Sequence, residues 1–399
     1  MQRKSSNWLR VGAAATRPCD FLILIAFLLP GVASTEELAR DQMVGNLEVV
    51  ATFGGAMPTG VTVANSGRIF VNFPKWGDNV EYTVAEVVNG KTVPYPNAEI
   101  NQYREGQSQT DKLVSVQSVV VDPGGRRLWI LDTGSIGFGP TKAGGPKLIA
   151  VDLTTNRIIK KIVFPPDVAL PTSYLNDVRF DLTRGSQGMA FITDSTSAGP
   201  NGIIVVDLAS GKSWRRLHDH VSTQPDPQFL PVVEGEILQM RIPGQPPARF
   251  AVGSDGIAIS PDGKAMYYCP LTSRHLYRVS VDALADAHKS EAEVAATVKD
   301  LGEKGGASDG LESDAEGRVY LSDYEHNAIR RRTLDGQLET LVHDPRVLWP
   351  DTLSLAADGY LYFTANQIER QGVFHNGQDL RRKPYVLFRV KVDGTRMGR

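Results

Sequence analysis

The sequence predicts an all-β chain folded as a six-bladed β-propeller. Three observations carry this. One phrase, made of a polar pair, a short apolar alternation, a Gly-containing turn and a second alternation, occurs six times. Each copy is followed by further strand-like runs, such as "KLIAVDLTTNRIIKKIVF" and "GIIVVDLASGKSWRRL". Gly (38) and Pro (24) are frequent among the 399 residues, which favours many turns over long helices. Six units of about four strands each follow the repeat logic of a propeller.

The fifth copy, "GGASDGLESDAEGRVYLSDYEHNAI" (305–329), shows the phrase plainly. Asp309-Gly310 opens the first strand, "DAEG" turns, and "GRVYLSD" runs back. The other copies open on Thr59-Gly60, Gln117-Ser118, Asn176-Asp177, Asp255-Gly256 and Asp351-Thr352. Alternation of period two is the strand signature, and Gly supplies the positive φ that tight turns demand. The one helix-like stretch, "VDALADAHKSEAEVAATV" (281–298), reads as a short surface helix in a loop between copies four and five.

A propeller gives the polar pairs a place. The first strand of each blade lines the central channel, so six pairs are expected at one channel mouth. The second strand runs back and brings its own end to the same rim. One rim is therefore expected to collect Asn176, Asp255, Asp309, Asp351, Asp132, Asp194, Asp323 and Asn366. Converging carboxylates repel and raise one another's pKa, so a cation or cationic ligand is expected among them. Tyr174, Trp349, Tyr324 and Phe138 stand close to the rim motifs.

The N-terminus reads as a leader. "MQRKSSNWLR" is basic, and "FLILIAFLLPGVA" (21–33) is a thirteen-residue apolar run that suits a signal-peptide core. The expected division is a signal peptide over 1–34 and a single propeller over 35–399. Removing 1–34 takes out Arg3, Lys4, Arg10, Arg17 and Asp20, leaving 39 of the 43 basic and 44 of the 45 acidic residues. This mildly acidic balance has no basic stripe, so no nucleic-acid partner is expected, and no membrane contact after cleavage. The expected location is extracellular, or periplasmic in a bacterium. Cys19 leaves with the leader, and Cys269 in "YYCPL" reads as a buried strand residue.

The copies also carry a family resemblance. "SVQSVVVDPGGRRLWILDTG", "SYLNDVRFD", "YYCPLTSRHLYRV", "SDGLESDAEGRVYLSDYEHNAI" and "WPDTLSLAADGYLYFTANQ" resemble the major royal jelly protein/Yellow family over about residues 45–394. The resemblance implies a secreted six-bladed propeller. It also implies links to dopachrome conversion, pigmentation, binding of biogenic amines or nutritive roles. A more distant resemblance is to the senescence-marker/gluconolactonase family, whose propellers hold one divalent metal through a Glu, two Asn and an Asp. "LNDVRFD" places Asn176, "GSDGIAISPDGK" places Asp255 and "SDGLESDAEG" places Asp309 in that pattern. The Glu has no counterpart, because Thr59 stands in the corresponding region.

Two chemistries follow. The first is a propeller that binds or isomerises an amine- or quinone-like small molecule. Asp255 and Asp309 would be its acid/base pair, and Asn176, Asp351, Asn366, Asp323 and Trp349 would contact the ligand. The second is a metal-dependent lactonase with one divalent cation, Ca²⁺ or similar, on Asn176, Asp255 and Asp309. Of the histidines, His326 is placed as a proton carrier after a rim strand. His275 is placed within a strand, and His218 and His220 of "LHDH" in a Pro-rich surface loop. No nucleophile elbow, zincin motif or P-loop occurs.

Overall fold

The computed structural model describes residues 41–398; the expected leader and Cys19 lie outside them. From Gln42 onward the chain clusters as one compact unit, and it contains six four-stranded antiparallel sheets. Blade 1 runs through Val61–Val63, Ile69–Asn72, Val84–Val88 and Lys91–Pro94. Blade 2 uses Val116–Val121, Arg127–Asp132, Lys147–Asp152 and Arg157–Val163. Blade 3 uses Leu175–Asp181, Met189–Asp194, Gly202–Asp207 and Ser213–Arg216. Blade 4 uses Ser254–Ile259, Ala265–Pro270, His275–Ser280 and Lys299–Glu303. Blade 5 uses Leu311–Ser313, Val319–Asp323, Ala328–Arg332 and Leu338–His343.

Blade 6 closes the ring. Its inner strands are Pro350–Leu355, Tyr360–Ala365 and Tyr385–Lys391, but its outer strand is Leu47–Phe53 from the start of the fold. The pairing runs antiparallel from Leu47 opposite Val390 to Phe53 opposite Tyr385. Two distant parts of the chain thus share one sheet, which leaves no gap in the ring.

Apolar packing follows the same sixfold plan. The buried hydrophobic residues form six clusters; five fill the seams between blades 1–2, 2–3, 3–4, 4–5 and 5–6, and the sixth joins the blade 6–1 seam to Phe229, Val233 and Leu238 and to Leu271, Tyr324 and Trp349. Cys269 lies in the seam between blades 4 and 5, fully buried as its strand position predicts. The turn between the first and second strands carries a positive-φ Gly in every blade; Gly317 in blade 5 has φ 88°.

The helical stretch differs from expectation. It forms two short helices, Val281–Ala285 and Glu291–Ala295, and it lies inside blade 4, between the third and fourth strands. The break has a local cause: Ser290 starts a new helix with a capping box to Glu293, which ends continuity across 286–290. Between blades 3 and 4 the chain adds two small hairpins, Val232–Val233 with Glu236–Ile237 and Gln239–Met240 with Ala248–Arg249.

The polar pairs lie where the blades touch. In blades 2, 3, 4 and 6 the first strand breaks register at its pair, between Val116 and Ser118, Leu175 and Val178, Ser254 and Ile257, and Pro350 and Leu353. A bulge detaches the pair's backbone from its own sheet and re-aims its side chains. Neighbouring blades then bond to these stretches. Asn72 Nδ2 donates to Gln117 O (2.9 Å), Thr193 Oγ1 to Asp255 O (2.7 Å), and Thr364 Oγ1 to Thr59 O (2.6 Å). Ser118 Oγ donates to Asp177 Oδ1 (2.7 Å), Gly310 N to Asp351 O (3.1 Å), and Cys269 Sγ makes a weaker contact with Ser308 O (3.8 Å). All six blade junctions are bridged at one level of the channel.

Gly310 has a negative φ, so its role differs from that of the turn glycines. A Cβ there would collide with the Asp351 carbonyl oxygen and the Thr352 backbone. The residue is bare because the next blade's main chain occupies the space. Gly310→Ala is expected to cost roughly 2–4 kcal/mol in urea unfolding, through forced separation of blades 5 and 6. Gly54→Ala, where nothing lies within 4 Å of the added Cβ, serves as the control and should be close to neutral.

Candidate functional site

Blades 4, 5 and 6 bring three carboxyl groups together at the channel mouth. Asp255, Asp309 and Asp351 open the first strands of these blades and are 3 %, 6 % and 3 % exposed. The carboxyls of Asp255 and Asp309 bear directly on each other's proton affinity. Burial pushes Asp255 well above the usual carboxylate range, and the Asp309 and Asp351 charges push it further. Asp309 is raised by burial to about 6, and the hydrogen bonds from Trp349 and Asp255 hold it there. Asp351 is also raised well above its ordinary value by burial and by the Asp309 charge, although Asn366 Nδ2 donates to its Oδ2 at 2.7 Å. Among the described residues no Lys or Arg forms an ion pair with any of the three.

The wall beside Asp309 is aromatic. Trp349 Nε1 donates to Asp309 Oδ2 at 2.7 Å, and the indole stacks on Tyr324 with ring centroids 4.1 Å apart and 7° between planes. Trp349 holds this place with φ 50°, a strained conformation for a bulky residue, and it is fully buried. A second aromatic group stands on the blade 1–3 side. Trp76 stacks on Phe138 (4.9 Å) and donates through Nε1 to Tyr174 Oη (2.7 Å). Tyr174 in turn donates to Gln117 Oε1 (3.1 Å), so this group reaches from the exposed Phe138 ring to the polar pair of blade 2. The negative charges of Asp255 and Asp351 bear on the Tyr174 phenol, which burial already raises strongly.

Blade 3 contributes differently. The amide of Asn176 has no hydrogen-bond partner among the described residues and is 8 % exposed. Its neighbour Asp177 is neutralised by Arg179, whose Nη1 donates at 2.8 Å while Nη2 donates to Leu311 O at 2.6 Å. Farther along the channel the half-buried Glu312 is raised above its ordinary value by desolvation. At the far end Arg396 donates to Val63 O and Val121 O, so it bridges the ends of the first strands of blades 1 and 2.

Three expected rim residues hold the blades instead. Asp132 accepts from Val114 N and Ser115 N and pairs with the buried Lys147 (2.7 Å). Asp194 accepts from Tyr174 N and pairs with Arg215 (2.8 Å). Asp323, expected among the ligand contacts, pairs with Arg330 (2.6 Å) and His326 (2.9 Å) inside blade 5. Each has its cationic partner on another strand of its own blade, Lys147 and Arg330 on third strands and Arg215 on a fourth. His326 is thereby raised by its bond to Asp323. The other histidines also have separate partners: His275 pairs with Asp300 (2.8 Å), His218 accepts from Arg215 (3.0 Å), and His220 bonds Ser222 (2.8 Å). Neither Trp76 nor Arg179 stood out in the sequence. Each acts through a neighbour from another blade.

The fold and this mouth define a channel-site propeller with an acidic, aromatic-walled opening. The family model described as major royal jelly protein matches residues 114–393, and the chain belongs to that family. Among curated relatives it is 27 % identical to Protein yellow of Drosophila guanche over 269 residues and 28 % identical to Protein yellow of Drosophila melanogaster over 251 residues. These matches cover 63 % and 59 % of this chain but only 44 % and 43 % of the relatives. Among solved structures it is similar to a calcium-binding protein, regucalcin, from Agrobacterium tumefaciens (TM-score 0.52, 15 % identity, covering 88 % of this chain and 97 % of that one). It is also similar to a putative gluconolactonase (TM-score 0.51, 11 % identity, covering 88 % and 93 %). At these identities the likeness is one of fold.

The calcium of such relatives can be tested against the residues here. Asn176, Asp255 and Asp309 are hard oxygen donors of the right kind. The fourth position fails: Thr59 donates to Gln117 O and accepts from Asn72 Nδ2. Among the described residues no group of three His, Cys, Asp or Glu side chains is arranged to hold a metal ion. The donor set as arranged does not fit a lactonase-type metal.

The raised carboxyls link stability to pH. Their folded pKa values exceed the unfolded value near 3.9, so the folded state holds extra protons and loses stability as pH rises from about 4 through 6 and beyond. Asp255→Asn is a neutral isostere of the protonated acid. It should gain roughly 1–3 kcal/mol over wild type near pH 7 and almost nothing near pH 4, read as the difference in urea midpoints at the two pH values.

Proposed function

We propose that this protein is an exported propeller that binds a small aromatic amine at the channel mouth. The carrying observation is the buried trio Asp255, Asp309 and Asp351, which has no cationic side chain paired to it. An ammonium group would supply the missing positive charge, taking the free Asn176 amide and the Asp carboxylates as acceptors. The ring would lie against the partly exposed pair Trp76 and Phe138, while the fully buried Trp349 and Tyr324 hold Asp309 in place from behind. Family membership supports a ligand-binding propeller, and the apolar run 21–33 supports export.

The same pair supports proton transfer on a quinone-like ring. Asp255 holds a proton, and Asp309, pushed up to about 6, is poised as a base at neutral pH. In an isomerisation Asp309 would take a proton from one ring position and Asp255 would return one to another, so the pair and the substrate's composition are restored.

Calorimetric titration with phenethylamine and butylamine tests the reading. Wild type should bind phenethylamine more tightly, and Asp309→Asn should weaken binding about tenfold or more. Affinity should also fall as pH drops below about 6, where Asp309 takes up a proton. If wild type binds neither amine, the reading is wrong. Lactone hydrolysis that EDTA abolishes would put the metal-dependent lactonase in its place.

A further inference from the structure

Among the described residues, Glu369 alone buries both carboxyl oxygens without a hydrogen-bond partner. It lies on the short turn Ile368–Arg370, just after Asn366, whose amide holds Asp351. The residue is 4 % exposed. Its nearest cation is the adjacent Arg370, with Nε 3.8 Å from Glu369 Oε1, too far for a hydrogen bond. The guanidinium is turned the other way. Its Nε donates to Glu234 Oε2 at 2.8 Å, and its Nη2 donates to Glu234 Oε1.

Glu234 is the tip of the hairpin formed by Val232–Val233 and Glu236–Ile237, with φ 50° in the turn. The hairpin has one more polar tether to a blade, Val232 N to Glu325 Oε1 at 3.0 Å. Its apolar side, Val233 and Leu238, joins the cluster that contains Trp349 and Tyr324. The following segment packs Phe250 edge-on against Trp349 (6.4 Å), the residue bonded to Asp309. Any movement of the hairpin is therefore felt at the wall of the channel mouth.

Arg370 thus stands between two carboxyls. Glu234 is partly exposed and holds the guanidinium in a two-bond ion pair; Glu369 is buried, and burial with the nearby Glu234 charge raises it to about 8. The other groups around the turn are occupied. His375 bonds the Glu369 carbonyl oxygen (2.9 Å), and Asp78 pairs with Arg381 (3.0 Å), which meets Gln371 only through Met57. A buried acid without a partner lowers stability, and a second arrangement in which it is paired accounts for its presence.

We propose that Arg370 is a two-position latch: paired with Glu234 it holds the hairpin 232–237 against the channel mouth, and paired with ionised Glu369 it releases that hairpin. An ion pair with a buried carboxylate outweighs one with a half-exposed carboxylate, because solvent screens the latter. The direction follows. Below the folded pKa Glu369 is neutral and the hairpin is held; as pH rises through that value the latch moves and the mouth opens.

Amide hydrogen exchange of residues 230–240 in the full chain tests this without any ligand, so its outcome is independent of the amine reading. After correction for intrinsic exchange, wild type should exchange roughly tenfold faster at about pH 9.5 than at about pH 6.5. Glu369→Gln, a neutral isostere of the protonated acid, should stay slow at both. Glu234→Gln should be fast at both, because the held position is lost. A flat wild-type profile overturns the proposal, and so does a Glu369→Gln profile that rises as wild type does. Glu369→Gln should also have the higher Tm at about pH 7.5, because wild type loses stability as pH climbs from the unfolded carboxyl value toward 8.

Discussion

Everything at the channel mouth depends on how closely adjacent blades approach at the polar pairs. Side chains from the end of one blade's second strand, or backbone of its first, bond to the bulged main chain of the next. These bonds are made in a region with little access to water, where an unbonded carbonyl would be costly. They fix the six first strands at a common height, and that height places Asp255, Asp309 and Asp351 side by side. Gly256 and Gly310 are bare because a side chain would occupy the same space as a neighbouring blade, and Gly60 because Asn72, which bonds across to blade 2, fills the space beside it.

The ring of bonds also accounts for the electrostatics. Blades packed this tightly exclude water from the carboxyls, so burial is the largest cause of every raised value in the trio. Lys147, Arg215 and Arg330 neutralise the outer carboxylates Asp132, Asp194 and Asp323 within their own blades. Asp255, Asp309 and Asp351 are left without a cationic side chain among the described residues. The buried rings of Trp349 and Tyr324 and the hairpin insertion add apolar surface beside them.

Much of this was legible in the chain. Six copies of one phrase gave the blade count, and the period-two runs gave the strands, since local sterics and burial govern both. The repeat put Asp255, Asp309 and Asp351 at corresponding positions of three blades, and the structure buries all three there. Other features were misplaced. Asp323 sits in the same phrase as Asp309, yet it turns into blade 5 toward Arg330 and His326. Sequence spacing placed it at the rim, but a single residue of register decides which way a strand side chain points. The helical stretch was seen, but its division at Ser290 and its position inside blade 4 depended on capping and on pairing with Lys299–Glu303.

The sequence by itself determined the repeat, the strands, the turn glycines and the acidic character of one rim, because each follows from local periodicity and residue chemistry. Only the tertiary structure decided which acids carry unneutralised charge. That depends on partners far apart in the chain: Trp349 on Asp309, Arg215 on Asp194, Asn366 on Asp351, and Arg370 between Glu234 and Glu369. Burial and ion pairing are properties of the assembled ring, and no stretch of sequence contains both members of most of these pairs.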